Sequence, residues 1–138
     1  MNAVLLDTGV IVATLDRSER LHEICLQAIA QTSAPLVTCE AVIAESCYLV
    51  RHLKGAPEAV VANVAAGIFQ LPFSLAQSAE QVNTYLRKYR DIGIDLADAC
   101  LIHLATELRV PDILTLDGDF RRYGWGRNNP FRLLVPFP

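Results

Sequence analysis

The sequence has 138 residues, 52% of them apolar, which suffices for one hydrophobic core but not for two ordinary domains, so we expect a single domain over residues 1–138. The formal net charge of −3 and the pI of about 5.5 exclude nucleic-acid binding through overall positive charge, so any such contact must be local. The four cysteines form no Cys-x-x-Cys pair, which argues against zinc, and the N-terminus shows no signal peptide or membrane span. We therefore expect a cytoplasmic protein with no membrane partner.

Short apolar runs alternate with longer helical segments along the chain. The runs predict five strands, at residues 3–6, 35–38, 71–75, 112–116 and 131–135, the last of them at a sheet edge. Apolar spacing and capping residues such as Thr38 predict a helix that begins near Gly9 and further helices at residues 21–31, 39–53, 58–69, 78–90 and 94–109. Strands separated by helices predict an α/β fold, a three-layer α/β/α sandwich around a short, mainly parallel central sheet.

Glu45 lies in an apolar helical segment without a basic partner. Its neighbours three and four residues away are Ala41, Val42, Tyr48 and Leu49, none of which can neutralise a carboxylate. Unpaired charges are rarely buried, so the position is typical either of a functional acid or of a side chain that points to solvent from an amphipathic helix.

Asp98 repeats this pattern in the apolar helix predicted at residues 94–109. No basic residue lies three or four positions away from it. The alternative is a capping arrangement, in which Asp95 is the N-cap and Asp98 is an acid in the first turn, where the helix dipole favours negative charge. This segment alone supports both interpretations equally.

Asp7 and Asp117 follow predicted strands, and parallel α/β sheets bind their ligands at the carboxyl ends of strands. The alternatives are a helix N-cap for Asp7, and an Asp-Gly turn for Asp117 and Asp119, which flank a glycine. If these acids converge with Glu45 and Asp98, they cannot all stay ionised without a counter-charge. Oxygen ligands without His or Cys favour Mg²⁺ or Mn²⁺ over zinc or copper.

Four segments, taken in order and spacing, resemble the PIN domains of VapC-type toxins. They are LLDTGV at residues 5–10, VIAE at 42–45, LADACLIHLA at 96–105 and LTLDGDF at 114–120. Each motif alone is weak, but the ordered set is specific and spans nearly the whole chain. The resemblance implies a PIN-like fold and a metal-dependent endoribonuclease that is the toxin of a toxin–antitoxin pair.

The resemblance also implies the roles of individual residues. The acidic quartet is Asp7, Glu45, Asp98 and Asp117. Asp7, Asp98 and Asp117 are the expected ligands of Mg²⁺ or Mn²⁺, with Asp119 as an accessory ligand, while Glu45 orients the attacking water or takes its proton. Thr8 and Thr115 match hydroxyl positions that line the same pocket. His103 stands where the family usually has a small residue, and we interpret it as a core or partner-facing histidine.

An acidic site repels RNA, so we expect positive charge around its rim. The candidates are Arg51 and Lys54 after the Glu45 helix, and Arg121 and Arg122, with Arg127 and Arg132, after the last acid. The alternatives are a solvated basic face or a contact with the acidic surface of an antitoxin. Trp125 and Tyr123 are either base-stacking residues or ordinary packing.

The expected partners are an RNA substrate, a cognate VapB-like antitoxin and a second copy of the chain in a homodimer, all implied by the family. The mostly apolar segment 59–69 is either a dimer interface or part of the core. An alternative function is a catalytically silent PIN-like module that binds RNA or a partner protein without cleavage. Loss of one quartet acid would favour that alternative, and none is lost.

Overall fold

A parallel sheet of short apolar strands forms the centre of the molecule. The computed structural model describes residues 2–137. Its sheet strands are β1 (Val4–Leu6), β2 (Leu36–Val37), β3 (Phe69–Gln70), β4 (Asp112–Leu114) and β7 (Arg132–Leu133), in the order β3-β2-β1-β4-β7, all parallel. The remaining strands, β5 (Gly124–Trp125) and β6 (Asn129–Pro130), form a separate antiparallel hairpin.

Helices connect the strands, as parallel pairing requires. Within residues 2–137 they are α1 (Thr8–Leu15), α2 (His22–Ala30), α3 (Glu40–Leu49), α4 (Ala56–Ala65), α5 (Leu75–Lys88) and α6 (Leu96–Leu108), with 3-10 turns at Arg90–Ile92 and Gly118–Arg121. This arrangement confirms the predicted three-layer α/β/α fold with a mainly parallel sheet. In the described part of the chain, no helix combines the length and the apolar character needed to cross a membrane.

The core is aliphatic and is centred on β1 and α6. Leu5 and Leu6 of β1 are fully buried, as are Leu101, Ile102 and Leu104 of α6. A strand that is buried on both faces consists of consecutive apolar residues, which is why β1 was predictable from the sequence. α6 is apolar on nearly all sides for the same reason, because it packs against α5, α3 and the β5–β6 hairpin.

Three local predictions about the chain were wrong. The strand expected at residues 71–75 lies earlier, at Phe69–Gln70, because Phe69 is buried and pairs with Leu36, whereas Ser74 caps α5 and places Leu75 in a helix. The helix predicted at residues 58–69 therefore ends at Ala65. Thr38 does not cap α3: its hydroxyl donates to the Leu6 carbonyl (2.7 Å) and joins neighbouring strands.

Candidate active site

Asp7 is held by hydrogen bonds at both carboxylate oxygens. It follows β1 directly and is the N-cap of α1, where its Oδ1 accepts from the Thr8 backbone N–H at 2.8 Å. The Thr115 hydroxyl donates to Oδ2 at 2.7 Å. The side chain is therefore both a helix cap and a fixed carboxylate at the carboxyl edge of the sheet, with only 6% of the residue exposed.

Thr115 connects two of the acidic residues. Its hydroxyl donates to Asp7 and accepts from the Asp117 backbone N–H at 3.0 Å. The Asp117 Oδ1 in turn accepts from the Asp119 N–H at 2.9 Å, which caps the 3-10 turn Gly118–Arg121. The Asp-Gly turn considered for this segment is thus present, and it also sets the position of the Asp117 carboxylate.

Thr115→Val is expected to destabilise the protein by about 2 kcal/mol, because the change leaves the Asp7 carboxylate and the Asp117 N–H without their buried partner. The loss should be larger near pH 8 than near pH 5, since this hydrogen bond lowers the pKa of Asp7 and stabilises its ionised form. Urea unfolding at the two pH values measures it. Thr32→Val, which removes a hydroxyl bonded within the end of α2, is the control. An equal loss of stability in Thr115→Val and Thr32→Val would contradict the role of Thr115 in connecting Asp7 and Asp117.

Glu45 reaches the same region from α3. Its Oε1 accepts from the Thr8 hydroxyl at 2.7 Å, a contact between residues 37 positions apart in the sequence. Glu45 is exposed, as expected of a side chain that points to solvent from an amphipathic helix. It also lines the same cavity as Asp7, as expected of a functional acid. Thr8 therefore links Glu45 to the segment that carries Asp7.

Asp98 occupies the first turn of α6. The Asp95 side chain caps the helix by accepting from the Asp98 N–H at 2.8 Å, as the capping alternative predicted. The Tyr123 hydroxyl donates to Asp98 Oδ2 at 3.1 Å. Tyr123 is only 2% exposed, so the idea that it stacks on bases is wrong; its ring is buried and its hydroxyl orients an acid.

The quartet acids line one cavity of about 530 Å³ at the carboxyl edge of the sheet. The lining consists of Asp7, Thr8, Gly9, Val12, Glu19, Glu45, Leu49, Asp95, Asp98, Leu116, Asp117 and Gly118. Among the described residues, no Lys, Arg or His side chain belongs to this lining. The described lining of the cavity is thus acidic.

Burial and mutual repulsion raise the pKa values of two of these acids. The pKa of Asp7 is raised to about 6, first by burial and then by the negative charges of Asp117 and Glu45, against the lowering effect of its hydrogen bonds. The pKa of Asp98 is raised to about 8, first by burial and then by Asp7, Asp95 and Asp117. Bringing a cation into the cavity would relieve this repulsion and restore both acids to their ionised forms.

The donor set fits a hard divalent cation. It consists of carboxylate oxygens, the ligands that Mg²⁺ and Mn²⁺ prefer. In residues 2–137, no three His, Cys, Asp or Glu side chains lie close enough to form a complete cage. Mg²⁺ keeps several of its waters and is usually bound through one or two carboxylates, so its binding does not require an all-protein cage.

The structure places the other predicted site residues outside this lining. Asp119 forms an ion pair with Arg122 at 2.8 Å, three residues away. Arg121 donates to the Phe137 carbonyl at 3.3 Å, and Arg51 donates to the Tyr48 carbonyl at 2.7 Å and stacks on the Tyr48 ring. Lys54 lines a separate cavity near the end of α1. Their roles stay predictions.

Two acidic residues of the cavity were not predicted as site residues. Asp95 was considered only as a cap, and Glu19 lies in the loop between α1 and α2, where no apolar context marks it. An unpartnered acid in an apolar segment is visible in sequence, whereas an acid in a polar loop is not. The sequence also did not reveal Tyr123 as a hydrogen-bond donor to Asp98, because the two residues lie 25 positions apart.

Comparison with known proteins identifies the family. The family model for the PIN domain matches residues 4–126, so the chain belongs to the PIN-domain family. It is 34% identical to ribonuclease VapC26 of Mycobacterium tuberculosis (strain ATCC 25618 / H37Rv) over 116 residues, which cover 83% of this chain and 86% of that protein. The resemblance found in the sequence is thereby confirmed.

The fold also matches a solved structure. The crystal structure of VapC20 from Mycobacterium tuberculosis, described as a Sarcin-Ricin loop cleaving toxin, aligns with a TM-score of 0.80. The alignment covers 92% of this chain and 99% of the other, with 19% sequence identity. At that identity the similarity establishes the shared fold and nothing further.

Proposed function

We propose that this chain is a Mg²⁺- or Mn²⁺-dependent endoribonuclease, a single-domain cytoplasmic protein that is the toxin of a toxin–antitoxin pair. The observation that carries the proposal is the convergence of Asp7, Glu45, Asp98 and Asp117, from four distant segments, on one cavity whose lining among residues 2–137 includes no Lys, Arg or His. Membership of the PIN family and similarity to a VapC ribonuclease support the same reading.

Asp7, Asp98 and Asp117 would hold the metal, directly or through water. When bound, a divalent ion supplies a hydroxide nucleophile at neutral pH and neutralises charge that develops on the phosphate. Thr115 and Tyr123 keep the Asp7 and Asp98 carboxylates oriented, since each donates to an Oδ2 atom. For Asp119 to serve as an accessory ligand, its carboxylate would have to leave Arg122.

Glu45 is suited to handle the proton of the attacking water. The Thr8 hydroxyl occupies its Oε1, which leaves Oε2 to accept a proton or to orient water. Because Glu45 is exposed at the cavity, its carboxylate stays in contact with solvent, whereas Asp7 and Asp98 are buried. The buried acids would therefore bind the ion, and the exposed Glu45 would exchange protons with solvent.

Positive charge outside the cavity would hold the flanking phosphates of the RNA. Arg51 and Lys54 follow α3, which carries Glu45, and Arg121 and Arg122 follow Asp119, so each basic group comes shortly after an acidic residue in sequence. Arg121 and Arg51 use their guanidinium groups partly on main-chain carbonyls, which fixes their direction but leaves other N–H donors free for phosphate.

A VapB-like antitoxin and a second copy of the chain are the proposed protein partners. Similarity to a protein named VapC supports the antitoxin. For the homodimer, α4 and the turn after it present Val61 and Ile68, which are 54% and 53% exposed although both are large and apolar. α4 buries Ala56 and Val60 on its other side, so part of this segment belongs to the core, while its exposed part is the surface we propose for the homodimer.

Incubation of the purified protein with total RNA, with EDTA or with added Mg²⁺ or Mn²⁺, tests the proposed activity. We expect new 5′ and 3′ ends at defined positions only when the divalent ion is present. Binding of RNA without any cleavage under all conditions would overturn the enzymatic proposal and support the alternative of a silent binding module.

A further inference from the structure

A second cavity, of about 530 Å³, lies at the far end of α6 from Asp98. It is lined by Thr106, Arg109, Trp125, Gly126, Arg127 and Asn129. The eleven residues from Asp98 to Arg109 span about 16 Å of helix at 1.5 Å per residue. Its volume falls in the range of cavities that hold small ligands, and none of its lining residues contributes to the acidic cavity.

The walls of this second cavity are fixed in position. The Gly126 N–H donates to the Thr106 hydroxyl at 2.9 Å, which ties the β5–β6 hairpin to α6. The Trp125 Nε1–H donates to the Pro130 carbonyl at 3.1 Å across the hairpin, so the indole is held in one orientation while the residue stays partly exposed. An aromatic surface that is already ordered costs little entropy when a ligand stacks on it.

The charge of the second cavity is opposite to that of the first. Arg109 and Arg127 are both exposed, and across residues 2–137 neither has a carboxylate oxygen within 4.0 Å; no acid lines the cavity. Arg109 also ends α6 in the left-handed conformation, with φ 56°, where glycine is the favoured residue. The backbone at this position therefore does not require an arginine side chain.

We propose that this second cavity is an exosite that binds a nucleotide of the RNA substrate away from the cleavage site, an inference that rests on the proposed function. The indole provides a stacking surface for a base, the two guanidinium groups bind phosphate, and the Asn129 amide can pair with a base edge. The described part of the chain contributes no aliphatic side chain to this lining, which favours a nucleotide over a protein segment.

The length of α6 between Asp98 and Arg109, one residue from each cavity lining, sets a length requirement. This axial rise of about 16 Å corresponds to roughly five nucleotides of stacked strand at about 3.4 Å each. An RNA that occupies both cavities must therefore extend beyond the scissile bond by several nucleotides, and a dinucleotide cannot engage the exosite while it is being cleaved.

Trp125 is the only tryptophan in the chain, so its fluorescence reports directly on the exosite. The test titrates single-stranded RNA of about twelve nucleotides into the Asp98→Asn protein, in which cleavage is blocked. We expect quenching of the fluorescence, and binding at least ~10-fold weaker in Arg109→Gly or Arg127→Ala on the same background. Arg109→Gly should keep full thermal stability, because glycine suits the left-handed position.

Arg20→Ala, which removes an exposed arginine from the loop between α1 and α2, is the matched control and should change the affinity less than about 2-fold. The exosite is overturned if RNA does not quench Trp125, if all three arginine variants weaken binding equally, or if an acidic peptide quenches and RNA does not. Each of these three results concerns binding alone and does not contradict cleavage of RNA by the wild-type protein. If RNA quenches Trp125 but the wild-type protein cleaves no RNA with Mg²⁺ or Mn²⁺, the proposed enzyme is rejected and the exosite is kept.

Discussion

Asp98→Asn is expected to abolish metal-dependent RNA cleavage and at the same time to raise the thermal stability of the metal-free protein. Activity should fall at least ~100-fold, because the change removes a carboxylate that we propose as a ligand of the ion. Stability should rise by about 5 °C in Tm near pH 8, because the change removes a buried negative charge that Asp7, Asp95 and Asp117 repel. Cleavage assays and thermal unfolding in EDTA measure the two effects.

The two effects of Asp98→Asn separate a functional acid from a structural one. A carboxylate that stabilised the fold would lower Tm when neutralised. Asp91→Asn is the matched control, since Asp91 is exposed in the 3-10 turn before α6 and does not line the acidic cavity. Cleavage at wild-type rate in the Asp98→Asn protein, or a lower Tm in EDTA, would contradict the role of Asp98 as a ligand.

The metal-free protein is expected to lose stability as the pH rises from about 5 to about 8, and Mg²⁺ or Mn²⁺ should reverse the loss. The folded-state pKa values of Asp7 and Asp98 are raised, to about 6 and about 8 from 3.8. The folded protein therefore binds more protons than the unfolded chain in this range, and stability falls as those protons leave. Asp7 alone accounts for roughly 1.4 kcal/mol of the loss between pH 5 and pH 8, or about 5 °C in Tm.

Thermal unfolding at several pH values, with EDTA or with a divalent ion, measures this dependence. The ion should stabilise more at pH 8 than at pH 5, since it competes with protons for the same carboxylates. Asp16 has a lowered pKa from its bonds to Ser18, and its contribution changes only below about pH 4, outside this window. A Tm in EDTA that rises steadily from pH 5 to pH 8 would contradict the electrostatic account of the site.

The acidic residues were recognisable in sequence because of where they stand. Asp98 is surrounded by apolar residues at helical spacing, and an acid without a local partner in such a segment is costly in any fold. The same reasoning found Glu45, although the structure leaves it exposed in the pocket. It could not find Glu19, whose polar loop gives no such contrast.

Local patterns were less informative about boundaries. Apolar residues at 69–75 suit a strand at several registers, and pairing of Phe69 with Leu36 selects one of them. Thr38 has the residue type of a helix cap, yet its hydroxyl bonds to the Leu6 carbonyl in the neighbouring strand. In both cases a partner more than thirty positions away outweighs the local preference.

The sequence by itself determined the fold class, through apolar periodicity, and the family, through the resemblance carried by the four ordered motifs. It also singled out the four acids that the structure places around one cavity, because an unpartnered charge is a property of neighbouring residues. Only the tertiary structure decided how the acids are oriented, because Thr115 meets Asp7 across 108 positions and Tyr123 meets Asp98 across 25. It also buries Asp7 and Asp98 beside other carboxylates, which raises their pKa values. The physical reason is that electrostatic and hydrogen-bond energies depend on distance in space, and the packing of β1, β4 and α6 sets those distances.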